Sequence, residues 1–201
     1  MRVTVIDYKA GNLTSVLKAL RHLGTDVIVT DRDLSLIESA ERLVLPGVGH
    51  FAATKRLDDA GLTSAIRASV SRGIPFLGIC VGMQWLYSGS TEAPEQPGLA
   101  QFPDACSRFP DCDQKVPHVG WNSLDVRNGS RLLADVEPGE YVYFTHSYKA
   151  PVTEDTAATA HYIEPFAAAV ERGNVMGVQF HPEKSGATGL KILRNFLEFK
   201  C

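Results

Sequence analysis

The sequence predicts an α/β fold: a three-layer sandwich with a mostly parallel central sheet flanked by helices, plus a small antiparallel excursion. Apolar strand candidates alternate with amphipathic helical segments, which is typical of a parallel sheet covered on both faces. Between residues 89 and 128 the composition shifts to Pro, Gly, Asp and Cys, and this indicates the excursion. The length of 201 residues favours one domain over two, since domains average roughly 150 residues. We therefore expect residues 1–201 to form a single domain.

The first half of the chain supplies four strands and the helices between them. Residues 2–7 are typical of a buried strand, and a loop at residues 9–12 follows. The next segment is predicted to be a helix, because apolar side chains recur on one face and Gly24 is placed to end it. That face consists of Leu13, Val16, Leu17, Leu20 and Leu23. The other strands are predicted at residues 26–30, 42–45 and 75–79, with a break at residues 46–49 and helical stretches across residues 51–72.

The second half begins with the excursion and then returns to regular elements. Strands are predicted at residues 141–145, 157–162, 167–171 and 175–179. The last element is predicted to be a helix, since apolar residues again recur at helical spacing. Its apolar face consists of Leu190, Leu193, Phe196 and Leu197.

The composition argues against several classes of protein. Because 20 Lys and Arg stand against 23 Asp and Glu, the net charge of −3 gives no electrostatic basis for binding nucleic acid or an anionic membrane. No run of about 18 apolar residues could span a membrane. The first residues do not resemble a secretion signal, since Asp7 and Lys9 interrupt them. We therefore expect a cytoplasmic protein whose four cysteines are free or catalytic rather than bridged.

A nucleophile is predicted where an apolar strand meets a helix. Residues 78–82 read Gly-Ile-Cys-Val-Gly, and glycines on both sides allow a turn tight enough to present Cys80 at the end of the strand. The start of the following helix favours the thiolate form of this cysteine. The alternative is that Cys80 is simply a small buried residue, the commoner situation for a cysteine.

A base and an acid are predicted at the end of a later strand. Residues 177–183 read Gly-Val-Gln-Phe-His-Pro-Glu. Residues two apart on an extended chain share a side, so Glu183 can orient the imidazole while His181 holds the proton of the cysteine. A lone histidine at a strand end is more often structural. Cys80 at the end of another predicted strand favours the catalytic interpretation.

Two further segments fit an acyl-transfer site. Residues 46–49 read Pro-Gly-Val-Gly, and the glycines leave the backbone free to direct the N–H of Val48 at a developing oxyanion, together with the N–H of Val81. Taken alone, this segment is equally well interpreted as an ordinary glycine-rich turn. Gln84, one helical turn past Cys80, can hold a polar substrate, although glutamines on helices are usually just solvated.

These motifs resemble those of the class I, triad-type glutamine amidotransferases. In that family a G-x-C-x-G-x-Q segment carries the nucleophile and an H-P-E segment carries the base and the acid, and both are present here in the same order. The resemblance runs from the first strand to the last helix and is closest to the glutaminase subunits of histidine biosynthesis. The segments that match these subunits are residues 7–8, 11–13, 46–49, 115–122, 143–148 and 177–186.

The resemblance implies a reaction and a substrate. Cys80 would attack the side-chain amide of glutamine, His181 would protonate the leaving ammonia, and Glu183 would orient His181. Water would then cleave the thioester to give glutamate. The substrate-binding residues that the resemblance implies are Gly49, Gln84, Glu92, His146 and Ser147. No metal or cofactor is expected.

The resemblance also implies a partner. In these relatives the ammonia passes to a (βα)8-barrel cyclase subunit, which makes imidazole glycerol phosphate and aminoimidazole carboxamide ribonucleotide, so a heterodimer is expected. The positions that match residues facing that partner are Asn12, Trp121, Tyr143 and Lys184. His50 departs from the family pattern, since a small residue is expected there.

Three other functions fit these motifs less well. Another biosynthetic glutaminase, serving chorismate, purine, pyrimidine or pyridoxal synthesis, would not be expected to carry the His-Val-Gly-Trp-Asn segment at residues 118–122. A cysteine peptidase on a similar fold would have no use for Gln84. A catalytically silent binding subunit would have no use for an intact set of Cys80, His181 and Glu183.

Overall fold

A computed structural model describes residues 1–10, 13–127 and 129–200 of the protein. The strands are β1 (Arg2–Ile6), β2 (Asp26–Thr30), β3 (Leu43–Gly47), β4 (Phe76–Cys80), β5 (Gly89–Ser90), β6 (Ala105–Arg108), β7 (His118–Ser123), β8 (Asp125–Val126), β9 (Tyr141–His146), β10 (Tyr148–Lys149), β11 (Thr156–Tyr162), β12 (Glu164–Arg172) and β13 (Val175–Val178). The helices are α1 (Leu13–His22), α2 (Leu34–Glu38), α3 (Lys55–Asp59), α4 (Leu62–Ser71), α5 (Val81–Gln84) and α6 (Gly186–Glu198), with 3-10 turns at Phe51–Thr54 and Pro182–Lys184.

The main sheet joins eight of the described strands in the order β2-β1-β3-β4-β13-β12-β11-β8. The strands from β2 to β13 are parallel, and the last three are added antiparallel. All five residues of β4 are buried, because this strand lies inside the sheet and is covered on both faces. The predicted α/β fold with a mostly parallel central sheet is thereby confirmed.

Helices cover this sheet through their apolar faces. In α1 the buried residues are Val16 and Leu20, which lie one helical turn apart on the predicted apolar face. Helix α2 packs on α4, where the Ser69 hydroxyl donates to the carbonyl of Ile37 (3.1 Å). Helix α2 was not predicted, since its five residues are too few to show a helical period. It begins where the Asp33 carboxylate accepts from the N–H of Ser35 (3.0 Å).

Strand β3 is longer than predicted. The Pro-Gly pair was expected to end it, yet Pro46 and Gly47 continue the parallel ladder opposite Ile79 and Cys80. This register places the start of the glycine loop directly beside the end of β4. The extension therefore brings the predicted oxyanion segment next to the predicted nucleophile.

Strands of the excursion pair with the later strands β9 and β10 in two small sheets beside the main one, while its last strand, β8, joins the main sheet. Strands β7 and β9 pair antiparallel along their full length, and β10 pairs antiparallel with β6. Strand β5 joins β6 in parallel, so the predicted antiparallel character holds for only part of the excursion. None of the helices in the described part of the chain is long and apolar enough to cross a bilayer.

Candidate active site

Cys80 occupies a strained backbone position at the end of β4. Its φ of 55° and ψ of −111° lie in a region that residues with a side chain rarely adopt, at a cost of roughly 1–3 kcal/mol. The turn carries the chain directly from β4 into α5. The sulfur lines a pocket of about 220 Å³, while only 3% of the residue is exposed. This geometry is that of a nucleophile elbow.

The flanking glycines are required by close backbone contacts. A methyl group on Gly78 would collide with the backbone of Gly82, and one on Gly82 would collide with the carbonyl oxygen of Leu45 in β3. Both contacts arise because α5 lies directly against β3 and β4. The glycine spacing therefore serves the tight turn as well as the packing of the helix that follows it.

His181 and Glu183 form a buried pair. His181 Nδ1 lies 2.8 Å from Glu183 Oε1, and their side chains are 2% and 3% exposed. Burial opposes protonation of His181, but the interactions with Cys80 and with Glu183 outweigh it and raise the pKa of this histidine to about 9. His181 Nε2 is buried and has no hydrogen-bond partner among the described groups. This nitrogen is therefore the one available to exchange a proton with the sulfur or with a substrate.

One of the two predicted oxyanion donors is engaged in a contact between loops. Val81 is the first residue of α5, so its N–H has no acceptor within the helix. The N–H of Val48 donates instead to the carbonyl of Ala10 (3.2 Å). In this conformation the N–H of Val48 is not free for a developing oxyanion.

The pocket gathers the predicted substrate residues. Its lining consists of Gly49, Cys80, Val81, Gln84, Glu92, Pro117, Thr145, His146, Ser147 and Tyr148. Glu92 is fixed there because its Oε2 accepts from the N–H of Phe51 (2.7 Å). Pro117, Thr145 and Tyr148 were not singled out from the sequence. They lie in segments that match the family, residues 115–122 and 143–148, but no site role was assigned to them, since the pairing of β7 with β9 and the position of β10 bring them to the pocket.

Gln84 is held by two acceptors. Its Nε2 donates to the carbonyl of Tyr148 (2.9 Å) and to Oε1 of Gln179 (3.0 Å). Both hydrogens of this amide nitrogen are then in use. Oε1 of Gln84 is the atom of this side chain left to meet a substrate.

A buried pair of histidines stands behind the pocket. His146 Nδ1 lies 2.9 Å from the carbonyl of Tyr148, which can only accept, so Nδ1 carries the hydrogen. His146 Nε2 therefore accepts from His118 Nδ1 (3.0 Å). His118 Nε2 is left as the acceptor for Asn122 Nδ2 (3.4 Å). The Tyr148 carbonyl thus determines the tautomer of both rings.

Both rings are held neutral. The ring of His118 is stacked on those of Tyr162 and Phe144, at centroid distances of 4.1 and 4.8 Å. Burial lowers the pKa of His118 to about 4. Burial is also the main cause of the low pKa of His146, about 3, and the nearby His118 and His181 lower it further. The charged form would lose its hydration without gaining an acidic partner.

These shifts predict a stability maximum near pH 6.5. Free histidine has a pKa of about 6.5. Below that value both histidines take up protons in the unfolded chain, whereas His118 and His146 stay neutral in the folded protein. The free energy of unfolding should then fall by on the order of a few kcal/mol between pH 6.5 and 4. The pH dependence is opposite for His181. Its contribution to the free energy of unfolding is present below pH 6.5 and is lost as the pH rises towards 9. Urea unfolding at a series of pH values measures both effects.

A matched pair of variants separates the histidines. His118→Gln should flatten the acid limb of the pH profile, whereas His161→Gln, at an exposed position, should leave it unchanged. An unfolding free energy that stays constant from pH 6.5 to 4 would contradict the neutral pair.

The residues predicted to face a partner cluster on one surface. Trp121 lies opposite Tyr143 in the β7–β9 ladder, with ring centroids 6.1 Å apart. Lys184 Nζ lies 5.7 Å from the centre of the Tyr143 ring. Asn12 was predicted to belong with them but falls outside the described residues.

His50 has a local structural role. Its Nδ1 accepts from the N–H of Ala52 (3.1 Å) at the start of the 3-10 turn, which an alanine could not do. Within the described residues, no group of three or more His, Cys, Asp or Glu side chains could hold a metal ion.

Known proteins with similar sequences identify the family of this chain. A family model described as glutamine amidotransferase class-I matches residues 4–199. The chain is 46% identical to the imidazole glycerol phosphate synthase subunit HisH of Halalkalibacterium halodurans, over 96% of this chain and 93% of that one. It is 45% identical to the subunit of the same name from Methanothermobacter thermautotrophicus, over 98% of each chain.

Solved structures show the same fold. One described as a glutamine amidotransferase superposes with a TM-score of 0.76 at 22% identity, covering 98% of this chain and 97% of the other. A chain of PurLQS from Thermotoga maritima gives 0.73 at 20% identity, with the same coverage.

Proposed function

Because this chain belongs to the class I glutamine amidotransferase family, we propose that it hydrolyses glutamine to glutamate and ammonia at Cys80. It acts as the glutaminase subunit of an imidazole glycerol phosphate synthase in histidine biosynthesis. The observation that carries the proposed site is the strained Cys80 at the pocket, with the buried His181–Glu183 pair interacting with it.

The first half of the reaction forms a thioester. A protonated His181 favours the thiolate of Cys80, which attacks the side-chain amide carbon of glutamine. The tetrahedral intermediate collapses when His181 Nε2 gives its proton to the leaving nitrogen, so ammonia departs and the glutamyl thioester remains. Glu183 keeps the ring in place by its bond to Nδ1 throughout.

The second half releases glutamate. Neutral His181 takes a proton from water, whose oxygen attacks the thioester carbon, and the carbon–sulfur bond breaks to restore the thiolate beside a protonated His181. The oxyanions of both steps face the N–H groups of Val81 and Val48 once Val48 has been released from Ala10. In the proposed complex, Glu92 and the side-chain oxygen Oε1 of Gln84 accept from the amino group of glutamine. Gly49, His146 and Ser147 complete the wall around it.

The partner proposed for this chain is a (βα)8-barrel cyclase subunit, which receives the ammonia. The β7–β9 surface supports this, since its large apolar side chains are unusually exposed: 56% for Val119, 55% for Trp121 and 59% for Tyr141. The same surface reaches the triad directly, because the N–H of His181 donates to the carbonyl of Tyr143 (2.9 Å). Docking at Tyr143 can therefore act on His181 through one hydrogen bond.

Trp121→Ala is expected to weaken binding of the cyclase subunit at least about tenfold, because exposed aromatic residues at the centre of an interface carry much of its affinity. Isothermal titration calorimetry of the two subunits measures this. Val152→Ala, which removes an exposed apolar side chain elsewhere (40% exposed), is the control. Equal affinities for both variants would place the interface on another surface.

Glutamate release in mixtures with candidate synthases tests the assignment as a whole. We expect strong stimulation by a barrel cyclase of histidine biosynthesis together with its nucleotide substrate. Stimulation instead by a chorismate- or purine-pathway synthase would support the assignment of the catalytic residues but contradict the assignment to histidine biosynthesis. No glutamate release with any of them would overturn the proposed reaction.

We further infer that residues 1–201 act as one glutamine amidotransferase domain in the cytoplasm. The cysteines described, Cys80, Cys106 and Cys112, are all unbridged, and this supports a reducing compartment. No cofactor is needed for the steps above.

A further inference from the structure

We propose that Gln179 is a further catalytic residue, whose side-chain amide donates a hydrogen bond to the reacting sulfur of Cys80. This assignment rests on the proposed function in so far as Cys80 is the nucleophile. Gln179 Nε2 lies 3.7 Å from Cys80 Sγ, within the usual range of a hydrogen bond to sulfur. Among the described residues, this is the side-chain amide whose nitrogen meets the sulfur.

The position of Gln179 follows from the sheet. Val178 lies opposite Ile79 in the parallel pairing of β13 with β4, so the next residue along each strand brings Gln179 beside Cys80. The backbone of Gln179 is fixed, since its N–H donates to the carbonyl of Ala168 (2.8 Å). The residue is 0% exposed, so its amide is not hydrated by bulk water.

The orientation of the amide is determined by its surroundings. The Tyr148 carbonyl can only accept, so the atom of Gln84 that faces it at 2.9 Å is Nε2. The same nitrogen lies 3.0 Å from the Gln179 side chain, and the atom of Gln179 that receives it must therefore be Oε1. Nε2 of Gln179 is left to face the sulfur. Through Gln84, the Tyr148 carbonyl thus orients the Gln179 amide so that its N–H group, and not its oxygen, faces Cys80 Sγ.

A neutral donor at this place serves both halves of the reaction. The charge of His181 changes when its proton passes to ammonia and returns from water, whereas the amide hydrogen of Gln179 stays in place. A buried thiolate that has lost its water is stabilised by such a donor. A Gln179 that merely fills the core would have no effect on the ionisation of the sulfur, and this difference can be measured.

The test is a titration of the Cys80 thiol in the full chain. Thiolate absorbance near about 240 nm is recorded against pH, with Cys80→Ser subtracted to remove the other cysteines, and alkylation by iodoacetamide is timed at pH 7. Gln179→Glu keeps the shape but places a carboxylate at the sulfur, and Gln179→Met removes the donor without adding charge. In both variants we expect the midpoint to rise by about one pH unit or more and alkylation to slow about tenfold.

The matched control is Gln114→Glu, which adds the same charge at an exposed position. Because the N–H of Gln114 donates to Cys112 Sγ (3.4 Å), this control is made in the Cys112→Ala chain and should titrate like that chain. In the wild-type chain, the side-chain amide protons of Gln179 should shift in NMR spectra with the same midpoint as the thiolate absorbance. This measurement stands even where a variant fails to fold. Amide protons that do not follow the thiol, or folded variants with an unchanged midpoint, would overturn the assignment.

These measurements need neither glutamine nor a partner. A chain that releases no glutamate but shows the expected shifts would refute the proposed function and keep the contact. A chain that releases glutamate while Gln179→Met titrates like the wild type would support the proposed function and refute the role of Gln179.

Discussion

Cys80→Ala is expected to abolish glutamine-dependent synthesis by the two-subunit enzyme while synthesis from added ammonia stays within about twofold of wild type. The loss should be on the order of 10⁴-fold or more, as is usual when a covalent nucleophile is removed. Ammonia-dependent synthesis is spared because the cyclase subunit would still receive its nucleophile from solution. Product formation from each nitrogen source, measured on the same complex, gives both values.

The alanine variant also has a structural consequence that must be controlled. Residue 80 keeps its unfavourable φ of 55° after substitution, so any loss of folded protein would lower both activities together. Cys112→Ala, at an exposed cysteine, controls for thiol loss. Retained glutamine-dependent activity in Cys80→Ala would remove this residue from the chemistry.

Glutamate release by the isolated chain is expected to be slow and to rise by roughly 10²–10³ when the cyclase subunit and its nucleotide substrate are added. That factor is the usual effect of one oxyanion donor. In the structure, the N–H of Val48 is bonded to Ala10 and not free, so one donor is missing. The partner must supply the energy to break this bond, and its ligand would then bind more tightly when glutamine is present.

Amide hydrogen exchange identifies the group involved. Exchange at Val48 should change when the complex is loaded with both ligands, whereas the N–H of Leu43, bonded to the carbonyl of Pro75 (2.9 Å), should be unaffected. An isolated chain that turns over glutamine as fast as the full complex would show that Val48 does not limit the reaction.

The position of the candidate site could largely be predicted from the sequence because its residues lie in short motifs at strand ends. Glycines around Cys80 specify the turn there. Glu183 reaches His181 from the 3-10 turn Pro182–Lys184 and not, as predicted, from an extended strand, because β13 already ends at Val178. The parallel order of the central strands then places the two strand ends at one edge of the sheet. The structure accordingly brings Cys80 into interaction with the buried His181–Glu183 pair.

What the sequence could not indicate depends on contacts between distant segments. The bond from Val48 to Ala10 joins two loops whose own residues favour no particular partner. Gln179 was visible only as part of a motif, since its role depends on a carbonyl at Tyr148, far away along the chain. The parallel pairing of β5 with β6 was missed because two-residue strands carry no readable period.

The exposed β7–β9 surface also has a consequence for the cell. The proposed docking of a cyclase subunit would cover Val119, Trp121 and Tyr141, so a chain made in excess of that subunit would leave them exposed to water and to other apolar surfaces. Such a chain is prone to aggregate and to be degraded. Matched production of the two subunits is therefore favoured by the solubility of this protein alone, independently of any need to balance their activities.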